Sequence, residues 1–152
     1  MSIWSSRSKQ LFSDAEMEHI IKAIKDTEQR TSGEIRVYVE SRCKFVDPLD
    51  RAAEIFWGLK MDQTEHRNAV LIYVAAKDHQ FAIFADKGIY QKLGTDFWNN
   101  EVRTMSGHFA RENFREALLL VIADVGTALH DHFPYDNSID KNELPDDIIF
   151  GN

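Results

Sequence analysis

The sequence predicts an α/β protein, a three-layer α/β/α sandwich around a small mixed sheet, and three stretches carry that prediction. "EIRVYVE" (34–40) alternates apolar and polar residues, as a strand with two different faces does. "AVLIYVAA" (69–76) is almost wholly apolar, the pattern of a central strand covered on both sides. Only Lys77-Asp78-His79 separate it from "QFAIFAD" (80–86), a spacing that suits an antiparallel hairpin. Helical periodicity fills the intervals between these runs.

In chain order, Ser13-Asp14-Ala15-Glu16 reads as a capping box, with Phe12 and Met17 placed to staple across it. The helix it opens buries Met17, Ile20, Ile21 and Ile24, and Ser32-Gly33 marks its exit. The first strand, Glu34 to Glu40, sets Ile35, Val37 and Val39 on one face. Asp47-Pro48 is an N-cap followed by a proline at the first helical position, and Leu49, Ala52, Phe56 and Leu59 recur at helical spacing behind it. After the hairpin, Thr95 or Asp96 can cap a helix with Trp98, Val102, Met105 and Phe109 inward, and Gly107 weakens its last turn. A further helix, 113–132, carries Phe114, Ala117, Leu118, Val121, Val125 and Leu129 until Pro134 stops it.

The order helix, strand, helix, strand, strand, helix, helix fixes strand polarity. The first connection should be a right-handed crossover, making strands one and two parallel, and the hairpin turns strand three antiparallel. The start of strand one (Glu34), the start of strand two (Asn68) and the end of strand three (Asp86) then meet at one edge, with Asp47 at the other. Residues 1–134 read as one domain. Residues 135–152 read as an acidic tail, with five acids and one lysine, in which Leu144 and the Ile148, Ile149, Phe150 cluster should dock while 137–142 stays free.

The totals exclude several classes. The net charge of -7, without a basic stripe, opposes a nucleic-acid backbone. A single cysteine, Cys43, forms no internal disulfide, and "MSIWSSRSKQLF" lacks the apolar core of a signal peptide, so a cytoplasmic setting is expected. The longest apolar runs fall short of the roughly 20 residues a spanning helix needs, so direct membrane insertion is not expected. A protein partner is the natural ligand of the acidic tail.

The chemistry the sequence offers is a rim of hard oxygen ligands. Glu34, Asn68, Asp86 and Asp96 are the donor types that suit Ca²⁺ or Mg²⁺, which could polarise a phosphoryl oxygen or activate water; Arg67 is the nearest basic side chain and the substrate-binding candidate. Each residue also has a structural reading: Asp86 with Gly88 as a turn, Asp96 as a cap, Asn68 as a loop end, Glu34 as a solvated strand residue. No EF-hand, Walker or zinc pattern is present. Cys43 lies between Arg42 and Lys44, but Leu49 stands where a cysteine-phosphatase loop requires arginine. His66, His79, His130 and His132 read as surface residues and Trp98 as core.

"TSGEIRVYVE", "NAVLIYVA", "FAIFADKGI", "LGTDF" and "HFARENFREALLLVI", in this order across 28–133, resemble the TPM domain family, which includes thylakoid-lumen acid-phosphatase-like proteins and photosystem II repair factors. The resemblance implies an α/β/α sandwich, divalent-cation binding and, for some members, phosphatase activity. It places all four rim residues in matched segments. The chain departs from the family pattern at Ala69, where a glycine is usual, and at Ala85-Asp86-Lys87-Gly88, where two glycines are typical; Lys87 could pair with Asp86 in place of a cation. The signal peptide and C-terminal membrane anchor common among relatives are not recognised in the sequence. The function so implied is a cation-binding domain with phosphomonoesterase activity; the alternative is a non-enzymatic protein-interaction module using the acidic rim or tail.

Overall fold

The computed structural model describes residues 12–44, 47–135 and 148–151. Helix α1, Asp14–Glu28, opens on the expected capping box: the Glu16 N–H donates to Ser13 Oγ at 3.1 Å and the Ser13 N–H to Glu16 Oε1 at 3.0 Å. Phe12 and Met17 are both buried beside it. Strand β1 is Glu34–Glu40, and helix α2, Pro48–Gly58, is capped by Asp47 through the Leu49 N–H at 2.9 Å. Strands β2, Ala69–Ala75, and β3, Gln80–Ala85, form the hairpin. Helix α3, Lys87–Leu93, follows directly, then α4, Thr95–Ala110, α5, Phe114–His132, and strand β4, Ile148–Phe150.

Among the described residues, five helices surround a mixed sheet of order β3-β2-β1-β4. β1 and β2 are parallel with Glu34 opposite Ala69, and β2 and β3 antiparallel with Val70 opposite Ala85, as the sequence predicts. β4 lies parallel to β1 with Val37 opposite Ile148, so the apolar end of the chain docks by becoming a strand. Leu144 and 137–142 lie outside the described residues.

Two cores follow from strand alternation. Val37, Val39, Val70, Ile72 and Val74 face a layer built from α1, α4 and α5, including Met17, Ile20, Leu118 and Val121. Ala69, Leu71, Tyr73 and Ala75 face α2 through Ala52, Ile55 and Phe56. All seven residues of β2 are buried, as its apolar run requires.

Two expected stripes are rotated. In α2, Ile55 is buried and Leu49 exposed, because the sheet contact sits past the first turn. In α4, Val102 is exposed while Glu101 is buried, because α5 lies on the Glu101 side of the Trp98, Met105, Phe109 stripe. Helix α3 lies where no helix is predicted. Among the described residues, no helix is long and apolar enough to cross a membrane.

Candidate functional site

The predicted rim exists as a backbone arrangement. The Glu34 N–H donates to the Asn68 carbonyl at 3.4 Å and the Asp86 N–H to the Ala69 carbonyl at 2.9 Å, so three of the four residues meet at one edge. Their side chains diverge. Glu34 and Asp86 are level with Ala69, which faces α2, whereas Asn68 is one residue out of step and points to the opposite layer. There its Nδ2 donates to Ser32 Oγ at 3.2 Å, while its Oδ1 is buried without a hydrogen-bond partner. Glu34 and Asp86 flank β2, two strand spacings or about 10 Å apart between their Cα atoms. Asp96 is exposed at the start of α4, with α3 between it and Asp86. Among the described residues, no three His, Cys, Asp or Glu side chains lie close enough together to hold a metal ion.

Asp86 itself is fully engaged. It is 2% exposed and accepts from Arg67 Nε at 2.6 Å, Arg67 Nη2 at 2.8 Å and the Lys87 N–H at 2.8 Å, the last capping α3. The cation beside Asp86 is therefore Arg67 and not the Lys87 ammonium; Lys87 contributes its backbone. Local backbone explains the choice. Arg67 sits at φ 52°, a left-handed conformation that turns its side chain toward β3, and the Gly88 N–H ties the Arg67 carbonyl at 2.9 Å. A Cβ on Gly88 would stand 2.2 Å from the His66 carbonyl oxygen and 2.6 Å from that of Arg67, so only glycine permits this approach. The guanidinium also lies 5.9 Å from the centre of the Trp57 ring.

The opposite edge also holds a buried carboxylate. Glu40 accepts from Arg51 Nε at 2.9 Å, Arg51 Nη2 at 3.0 Å and the Tyr73 hydroxyl. Burial pushes its carboxyl up, but Arg51 and Tyr73 together outweigh burial and hold it below the usual range. Burial first, and then Glu40 as acceptor, push the Tyr73 hydroxyl well above its ordinary value, so it stays a donor.

Beyond Glu40 a crevice of about 290 Å³ opens at the carboxyl ends of β1, β2 and β4. Val39, Phe114 and Phe150 supply apolar wall, and Ser41, Lys77, His79 and Glu112 supply polar groups. The chain leaves β1 for β2 over the α2 face and reaches β4 after the helices of the other face, so neighbours of β1 are entered from opposite sides. Such a switch point, at the carboxyl ends of parallel strands, is where open α/β sheets take ligands. His79 (φ 51°) and Glu112 (φ 56°) both line it in left-handed conformations, and the His79 ring lies 5.6 Å from that of Phe114.

The sequence does not reveal this crevice, because its walls come from separate segments and one of them, β4, lies within the stretch whose composition is that of an acidic tail. His79 is exposed as expected and Trp98 is buried as expected. Glu101, which no sequence pattern singles out, is 4% exposed between α4 and α5; burial, then the Asp124 carboxylate, push its carboxyl up to about 8.

The chain matches the family model described as the TPM domain over residues 5–128. The NMR structure of the BA42 protein from the psychrophilic bacterium Bizionia argentinensis is 39% identical, with a TM-score of 0.83 and 99% of each chain covered. The solution NMR structure of the N-terminal domain of the cg2496 protein from Corynebacterium glutamicum shares the fold at 16% identity, with a TM-score of 0.55 over 84% of this chain and 74% of that one. None of the curated proteins matches.

Proposed function

The chain belongs to the TPM domain family, and on that premise we propose that it is a ligand-binding domain that takes a small amphipathic molecule in the crevice at the carboxyl ends of β1, β2 and β4. The observation that carries this reading is the coincidence of that crevice with the switch point of the sheet, lined by two residues in left-handed backbone conformations. Its volume has room for roughly ten waters, or an organic molecule of that size. Lys77 and Ser41 suit an acidic head group, and Phe114, Phe150 and Val39 suit an apolar body. Glu40 adds little repulsion, because Arg51 matches its charge.

The family resemblance implies a divalent cation and phosphomonoester hydrolysis at the rim. Asn68 Oδ1, buried and without a partner, has the chemistry of a cation donor. The other positions speak against one ion shared by all four: Asn68 faces away from Glu34 and Asp86, Asp96 is beyond α3, and Asp86 is already neutralised by Arg67. The rim residues therefore do not fit the implied ion, and no hydrolytic step is derived through it. In the interaction-module reading, Ile148 to Phe150 are occupied as β4 and are not a free binding arm.

The test is amide NMR with 3-phenylpropionate as probe. Saturable shifts at Ser41, Lys77, His79, Glu112 and Phe150, abolished in a folded Ser41→Trp variant, are the expected result. Shifts confined to the Glu34 and Asp86 edge, or none up to millimolar probe, would overturn the crevice reading. Magnesium-dependent hydrolysis of p-nitrophenyl phosphate that falls in a folded Asp86→Asn variant would favour the phosphatase instead.

A further inference from the structure

We infer that Arg67 is a resident cation of the rim: its guanidinium takes, in this chain, the place of the divalent ion that the family implies, and closes Asp86 to Ca²⁺ and Mg²⁺. The inference is independent of the crevice reading, and either can fail alone.

Charge and geometry agree on it. Asp86 is buried to 2% exposure, and both of its oxygens are taken, Oδ2 by Arg67 Nε and Oδ1 by Arg67 Nη2 together with the Lys87 N–H. Two parallel charge-assisted bonds to a planar guanidinium are the strongest pairing a carboxylate makes with a side chain, and a lysine ammonium could not reproduce it. The Arg67 side chain is 30% exposed, so it is the layer between Asp86 and water. An incoming ion would first have to displace it.

The pair is also built in. Arg67 reaches Asp86 from a left-handed backbone conformation, the Gly88 N–H bonds the Arg67 carbonyl, and the guanidinium lies beside the Trp57 ring. Without the guanidinium, Asp86 would be a buried, uncompensated carboxylate. Such a seat is poor in charged ligands and suits Ca²⁺ at millimolar affinity.

The experiment is a calcium titration, at fixed ionic strength, of the wild type and of Arg67→Ala, followed by amide NMR and melting temperature. In the wild type, the Asn68, Asp86 and Gly88 amides should stay in place up to about 10 mM Ca²⁺, roughly ten times the dissociation constant of the weakest calcium modules. Arg67→Ala should melt about 10 °C lower, and calcium should shift its Asp86 and Gly88 amides saturably and recover part of the loss, where sodium does not. Arg67→Lys, which keeps a positive charge on a folded background, should stay insensitive to calcium. Saturable wild-type shifts at Asp86 would overturn the inference. So would an Arg67→Ala protein that folds but ignores calcium, since Arg67 would then be an ordinary ion-pair partner and no stand-in for an ion.

Discussion

Replacing Glu101 by glutamine should stabilise the protein at pH 8 and change it little at pH 4.5. Glu101 faces α5 from the inner side of α4, is 4% exposed, and leaves its Oε1 buried without a hydrogen-bond partner. Burial, and then the neighbouring Asp124 carboxylate, raise its carboxyl from the ordinary 4.5 to about 8. The folded state thus holds a proton that the unfolded state releases near pH 4.5. Stability from that proton is complete below the unfolded value and is lost as pH rises toward the folded one. While the native carboxyl is protonated and the unfolded one is not, the slope is about -1.4 kcal/mol per pH unit. Across the interval from 4.5 to 8 the ceiling is about 5 kcal/mol. Asp124 is exposed, and relaxation and water around it would cut this by half or more, leaving about 2 kcal/mol. Glutamine keeps the shape and removes the titration, so the difference in melting temperature between Glu101→Gln and wild type should grow from near zero at pH 4.5 to about 4–8 °C at pH 8. The assay is thermal unfolding at half-unit pH steps, read as that difference, so that all other titrating groups cancel. Asp124→Asn should make the difference level off at lower pH and at a smaller value, because it lowers the folded-state value and leaves the unfolded one in place. Parallel profiles for wild type and Glu101→Gln, or a variant that loses stability at pH 8, would refute the reasoning.

Gly88→Ala should cost about 3 kcal/mol, because the added Cβ meets main-chain oxygen and no flexible side chain can yield; Gly58→Ala, with open space around its Cβ, should be neutral or slightly stabilising, and denaturant unfolding compares the two. Deleting residues 148–152 should lower the melting temperature by about 5 °C, since Ile148 loses its burial and the outer edge of β1 opens, and light scattering should report self-association through that edge.

The elements legible in the chain are those whose signal is local and periodic. Alternation at Ile35, Val37 and Val39 gave β1 a face, the unbroken run at 69–75 placed β2 in the centre, and the three-residue link made β3 antiparallel; Ser13 and Glu16, or Asp47 and Pro48, start helices by hydrogen bonds a few residues long. Strand polarity then sufficed to bring Glu34, Asn68 and Asp86 to one edge. Whether they form a site depends on side-chain direction and on contacts between distant segments. A step of one residue along a strand reverses the side chain, so Asn68 faces one layer while Glu34 and Asp86 face the other, a distinction that edge position does not carry. The pairing of Asp86 with Arg67, 19 residues earlier, depends on a left-handed backbone at Arg67 and a missing Cβ at Gly88, neither of which leaves a periodic trace. Helix α3 has seven residues and buries Ile89, too little for helical periodicity to register. β4 has three residues and becomes a strand only because the outer edge of β1 is there to bond it, and that bond completes the crevice at the carboxyl ends of the sheet, where residues distant in sequence meet.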